Sequence, residues 1–222
     1  MTKPQKFLLS VFLFLIFVGF SYLVQKHFLT QIDFDTTVKI QDKISRDFDT
    51  FLSSLSLFGS LEVSAVFLLI ILAIKRNLGL LVLIPFSFVT LHLFELFGKL
   101  YVRHPGPPFM FFRYDINFLF PSSYVKPGFS YPSGHAARAT FITIIILYFV
   151  IRSKKLTALN KAIISAVVLL FDIGMLTSRV YLGEHWTSDV IGGSLLGVAL
   201  SLFTVSFIED KSVSKQIHKG TH

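Results

Sequence analysis

Arg179, His185 and Asp189 lie within a single short stretch, 178–189 (SRVYLGEHWTSD), between two long apolar runs. An imidazole that donates one ring N–H to a carboxylate is fixed in tautomer, and its other nitrogen is left free to attack. If helix resumes at His185, then His185 and Asp189, four residues apart, share one face. Arg179 adds a planar fork that matches phosphate oxygens. The set reads as a nucleophile, its orienter and an anion clamp. A lone histidine at a membrane boundary is more often a packing or interface residue, but the spaced set S-R-x5-H-x3-D is hard to obtain by accident.

Pro132-Ser133-Gly134-His135 carries a second piece of chemistry. Ser133 is a good helix N-cap, and the N–H groups after it point outward at the positive end of the helix dipole, where phosphate binds directly. Gly134 lets an anion come close to the backbone. His135 beside such an anion is a natural proton donor or acceptor. Capping alone would also explain Ser133, and the two roles are compatible. Arg138, three residues after His135, falls on the same helical face.

The elements that must position these residues are membrane helices. The chain has 222 residues, is 53% hydrophobic and contains 26 Phe. Its long uncharged runs mark an integral membrane protein. The absence of cysteine excludes disulfides, thiolate metal sites and cysteine nucleophiles. The net charge of +8 sits in small groups near apolar ends, which suits anionic lipid and gives no case for nucleic acid.

Six spans are expected, at 7–24, 51–74, 78–98, about 132–151, 162–178 and about 186–208. Each is near the roughly 20 residues that cross a bilayer core, and irregular backbone is not stable in lipid. The predicted fold is therefore all-α, a polytopic six-helix bundle forming one domain over 1–222. The first run is read as a retained span, because no small-residue cleavage site follows it.

Orientation follows the Lys and Arg near span ends. One side collects Lys3, Lys6, Lys75, Arg76, Arg152, Lys154, Lys155, Lys161, Lys211, Lys215 and Lys219. The other collects Lys26, Lys39, Lys43, Arg46, Lys99, Arg103, Arg113, Lys126, Arg138 and Arg179. The raw count shows no bias. The second set, however, holds the phosphate-site candidates, and its first four members lie among aspartates. Both termini are placed in the cytoplasm.

Residues 32–50 read as an amphipathic helix on the outer surface, with Ile40, Ile44, Phe48, Phe51 and Leu52 at helical spacing; a plain loop is the alternative. Glu62, Glu95 and Asp172 lie inside spans, where charge faces the bundle interior. Lys99, four residues after Glu95, can pair with it. Asp172 is expected to bond a neighbouring helix, with support of the site seven residues away at Arg179 as the alternative. Gly193 and Gly197 form a G-x-x-x-G pair for close helix packing. The long 99–131 connection carries Pro105, Pro107, Pro108, Pro121 and Pro127 with Phe109, Met110, Phe111, Phe112, Phe118, Leu119 and Phe120. It reads as a stiff apolar lid or an interfacial anchor. On this topology the segments 99–107, 132–138 and 178–189 meet on the outer face.

P-S-G-H followed by S-R-x5-H-x3-D resembles the type-2 phosphatidic-acid phosphatase superfamily of lipid phosphate phosphatases, and the six-span layout agrees across nearly the whole chain. Its first motif is K-x6-R-P. Here Lys99 and Pro107 match, but Gly106 stands where the arginine belongs, so Arg103 or Arg138 must supply that contact, with Arg138 better placed. The resemblance implies that His185 is the nucleophile forming a phosphohistidine and that Asp189 orients it. It implies that His135 protonates the leaving oxygen and then activates water. Lys99, Ser133, Gly134, Arg179 and Arg138 would hold the phosphoryl oxygens.

No metal or other cofactor is implied, and His185 with Asp189 lacks a third and fourth ligand for a metal reading. Bacterial members suggest undecaprenyl pyrophosphate as substrate, giving undecaprenyl phosphate, and also phosphatidylglycerophosphate, giving phosphatidylglycerol, at the plasma membrane. Two rivals stay open: phosphotransfer to a lipid or sugar acceptor, and a non-catalytic lipid-phosphate binder or transporter. Oligomeric state and the role of Glu184 are not set by the sequence.

Overall fold

The computed structural model describes residues 1–118, 120–121 and 128–208. Among these residues every regular element is helical: α1 (Lys3–Gln25), α2 (Thr30–Lys43), α3 (Asp49–Ser56), α4 (Leu61–Lys75), α5 (Leu78–Tyr101), α6 (Gly134–Arg152), α7 (Ala158–Tyr181) and α8 (Thr187–Phe207). Helices α1, α5, α6, α7 and α8 are each long and apolar enough to cross a membrane. That is the all-α, multi-pass architecture expected from the hydropathy. Leu119, Lys126, Pro127, Lys211, Lys215 and Lys219 lie outside the described residues.

The expected second span, 51–74, is not one helix. It breaks between α3 and α4 with a bend of 57°, and counting the bent pair as one crossing gives six. Ser60 is the cause. Its backbone is extended at φ −63°, ψ 157°, and its hydroxyl accepts the Val63 N–H to cap α4. The apolar run continues through the break, so periodicity gives no warning of it.

Helix α2 also differs from expectation. It ends at Lys43 rather than near residue 50, and the side chains it buries are Asp33, Thr37 and Gln41. Ile40 and Ile44 are only partly buried against Leu52, Tyr181 and Leu182, while Phe48 and Phe51 are exposed. The inward face is polar because it meets backbone ends. Gln41 Nε2 donates to the carbonyls of Phe111 (2.7 Å) and Tyr181 (2.8 Å). Those carbonyls would otherwise be buried without partners, at a cost of about 1–3 kcal/mol each.

Helix α8 packs most extensively on α1 and α6. A Cβ on Gly193 would overlap the Ser133 carbonyl, and one on Gly197 would press on the Ala137 carbonyl. The G-x-x-x-G pair therefore brings the two backbones together. Lys6 Nζ donates to the Val205 carbonyl (3.1 Å) and lies over Tyr148, while Lys75 lies over Phe149. The start of α1 and the ends of α4, α6 and α8 thus share one end of the bundle. The end of α5, the starts of α6 and α8 and the end of α7 share the other, where the site candidates lie.

Candidate active site

The first residues to place are those of the α7–α8 turn. Gly183 adopts φ +67°, and a Cβ there would collide with the Phe111 carbonyl, so the tight turn requires glycine. The Arg179 carbonyl accepts the N–H groups of both Glu184 and His185 at 3.2 Å. This fixes His185 ahead of α8, which starts at Thr187. The expected resumption of helix at His185 is thus corrected. Asp189 at the third helical position accepts the Trp186 N–H (2.9 Å), closing the cap.

His185 and Asp189 still approach each other, with Nδ1 3.5 Å from Oδ2. His185 is 9% exposed and Asp189 fully buried. Burial holds the His185 imidazole below the ordinary histidine range, and the positive charges of Arg179 and Lys99 push the same way against Asp189. A neutral imidazole is the nucleophilic form.

Ser133 caps α6, accepting the Ala136 N–H on its hydroxyl (3.4 Å), and its own N–H donates to the Asp189 carbonyl (2.9 Å). The second and third segments are therefore directly joined. Partly buried His135 faces Arg179, Arg138, His185 and Lys99, and Gly59 lies under its ring. The break between α3 and α4 also supplies polar groups. Ser56 accepts a hydrogen bond from Arg179, and the Gly59 carbonyl accepts Arg138 Nε (3.0 Å).

Glu95 organises the cations. Its Oε1 accepts Lys99 Nζ (2.8 Å), and its Oε2 accepts Arg138 (2.8 Å) and contacts His92 Nδ1 (3.0 Å). The predicted Lys99 pair is present, but Arg138 shares it. The carboxylate lies against Gly134, where a Cβ would overlap it. Arg179 pairs with Glu184 (2.5 Å), while its Nε is buried without a hydrogen-bond partner among the described residues. Arg103 is exposed, at φ +52°. Asp172 accepts from Thr140 (3.4 Å) on the neighbouring helix, a structural contact. Among the described residues no cluster of histidine and carboxylate side chains suits a metal ion.

His104 was not singled out from sequence. It is buried, with Nδ1 2.8 Å from Asp189 Oδ1. Asp33, from α2, accepts both the Ser188 N–H and hydroxyl at 2.7 Å, and burial raises its pKa. The signal available for His104 was its position five residues after Lys99, inside the first motif segment.

Lys99, Ser133, Gly134, His135, Arg138, Arg179, His185 and Asp189 thus converge from all three segments. Chemically, the assembly offers two imidazoles and three cations in a largely buried setting, suited to receiving a phosphoryl group.

The chain is 33% identical over 84 residues to phosphatidylglycerophosphatase B of Bacillus subtilis, covering 38% of this chain and 41% of that protein. It is 33% identical over 155 residues to an undecaprenyl-diphosphatase of Sulfolobus acidocaldarius, covering 68% and 65% respectively. The matches therefore span less than two thirds of either relative. The fold is similar to the crystal structure of a transmembrane PAP2-type phosphatidylglycerolphosphate phosphatase from Bacillus subtilis, with a TM-score of 0.68 at 20% identity over 94% of this chain and 96% of that one. It is also similar to Aquifex aeolicus LpxE, with a TM-score of 0.57 at 23% identity over 78% and 94%. The family profile matches residues 79–212, more than half of the chain and all three site segments, and the chain belongs to the PAP2 superfamily.

Proposed function

We propose that the protein is an integral-membrane lipid phosphatase that works through a phosphohistidine on His185. The observation that carries this reading is the convergence of His185, His135 and Asp189 with Lys99, Arg138 and Arg179 at one end of the bundle. Binding alone would need only the cations. In the proposed reaction His185 Nε2 attacks phosphorus while Nδ1–H stays directed at Asp189. The bond to the leaving oxygen breaks, and His135 gives that oxygen a proton. His135 then takes a proton from water, whose oxygen displaces His185 and releases inorganic phosphate.

Lys99, Arg179 and the N–H groups after Ser133 hold the equatorial oxygens, and Arg138 stands in for the arginine that Gly106 replaces. Its sharing of Glu95 with Lys99 supports that assignment. The substrate is a membrane-anchored phosphate: undecaprenyl pyrophosphate, giving undecaprenyl phosphate, and also phosphatidylglycerophosphate, giving phosphatidylglycerol. Both relatives' names support this pair. The site faces outward from a bacterial plasma membrane, with both termini in the cytoplasm.

The test is phosphate release from each lipid in detergent with EDTA present, comparing the native chain with His185→Ala. The native chain should turn over, and His185→Ala should lose at least about 10³-fold. Equal release by the two proteins would overturn the nucleophile assignment, and dependence on added metal would overturn the metal-free mechanism.

A further inference from the structure

The nearest imidazole to Asp189 is not the proposed nucleophile. His104 Nδ1 lies 2.8 Å from Oδ1, whereas His185 Nδ1 stands 3.5 Å from Oδ2. The Ser130 hydroxyl (2.7 Å) and the Trp186 N–H (2.9 Å) also donate to Oδ2. An ionised carboxylate only accepts, so the nitrogen of His104 that meets it carries the hydrogen. Donors on both oxygens fix the plane of the carboxylate. Of these, the Trp186 N–H is set by the helix cap, and Ser130 is held in place by the backbone carbonyl of His104, which accepts its N–H (2.9 Å). The His104 side chain therefore holds Oδ1, while Ser130 and the helix cap hold Oδ2.

The other side of His104 is polar as well. Its Nε2 stands 4.0 Å from Asp33 Oδ2, and the His27 ring is 6.5 Å away, centre to centre. That face borders a cavity of about 300 Å³ lined also by Thr30, Gly106 and Trp186. His104 thus stands between the carboxylates of Asp189 and Asp33, with its Nδ1 on the nearer one.

We infer that His104 is a positioning residue for the nucleophile, acting through Asp189. By anchoring Oδ1 it keeps Oδ2 turned toward His185 Nδ1, so that His185 holds its hydrogen there and presents Nε2 to phosphorus. The inference rests on the phosphatase reading for its kinetic consequence, but not for its effect on the His185 tautomer.

The test compares three variants. His104→Asn keeps a donor near the place of Nδ1, His104→Gln moves the amide toward the place of Nε2, and His104→Ala removes the donor. The bordering cavity gives room for both amides. Against the native lipid substrate, His104→Ala and His104→Gln should lower kcat about 10–100-fold with KM nearly unchanged, the range typical of residues that orient a reactive histidine. His104→Asn should recover most of the loss.

Nitrogen-15 NMR of histidine-labelled protein in detergent supplies a readout without substrate. His185 should carry its hydrogen on Nδ1 in the native chain and in His104→Asn, and should become a mixture of tautomers in the other two. If His104→Ala fails to fold, the asparagine and glutamine variants still decide. Equal kcat losses in those two with an unchanged His185 tautomer would overturn the proposal. A native chain without phosphatase activity but with a His104-dependent tautomer would overturn the phosphatase reading alone.

Discussion

Glu95 is an anion that the chain supplies to two of the cations proposed to hold phosphate. It is 3% exposed and bonds both Lys99 and Arg138. Removing one partner of a buried charge set costs about 3–5 kcal/mol, because the charges left behind are uncompensated. Glu95→Ala should therefore lower the thermal midpoint in detergent by several degrees, with Glu95→Gln losing less because it keeps hydrogen bonds. A midpoint unchanged in both would show that the network is not stabilising. His185 carries a pH prediction. Its pKa lies below the ordinary histidine value of about 6.5 because burial disfavours the charged ring. The neutral form of the proposed nucleophile thus survives acidification that would protonate an exposed histidine. The acid limb of kcat/KM against pH should fall below that ordinary value, with activity lost only as pH drops through the lowered pKa. An acid limb above it contradicts the assignment. At this scale the candidate residues could be selected because their types and spacings are local. His104 and the sharing of Glu95 by Arg138 were not, since each joins positions that only folding brings together: His104 to Asp189 is 85 residues apart and Arg138 to Glu95 is 43.

The elements differ in how openly the sequence declares them. Five long apolar helices were readable because a bilayer leaves the backbone no alternative. The α3–α4 break was hidden within a continuous apolar run, yet it brings Ser56 to Arg179 and the Gly59 carbonyl to Arg138. Helix α2 was readable as a helix but not as one that buries polar residues, because its partners are carbonyls of distant turns. Close packing of α8 was declared by Gly193 and Gly197, though not that α6 is the partner. A larger residue at Gly193 would push α8 away from Ser133, whose N–H bonds the Asp189 carbonyl. Gly193→Val should destabilise by about 1–3 kcal/mol and, on the proposed function, should depress phosphate release, since the start of α6 and Asp189 would separate. Gly19→Val is the matched control, because nothing lies within 4 Å of a Cβ there. Equal thermal midpoints and activities for the two variants would show that close α6–α8 packing does not set the site.

Across the whole molecule, the two ends of the bundle are chemically unlike. One end carries Lys6, Lys75 and Arg152, with Lys6 and Arg152 over the Tyr148 ring and Lys75 over Phe149. The other carries the candidate site under an aromatic cover in which Phe111 meets Trp186 edge-on and Gly183 backs onto the Phe111 carbonyl. Phe109 and Met110 project from that cover, 88% and 79% exposed, where apolar side chains suit the interface between lipid and water. The part of the expected lid at Leu119 and Pro127 lies outside the described residues. If the catalytic end faces outward, a lipid phosphate can reach the cluster only from the outer leaflet, and the short basic turns remain inside, as the positive-inside rule requires. The chain has no cysteine, so single cysteines can report sidedness without background. Phe109→Cys in whole cells should react with a membrane-impermeant maleimide, whereas Lys154→Cys should react only after the membrane is permeabilised. Both positions are exposed in the fold, so a difference in labelling reads the membrane rather than burial. The reverse pattern would place the site at the cytoplasmic face and assign the enzyme to newly made lipid phosphates of the inner leaflet instead.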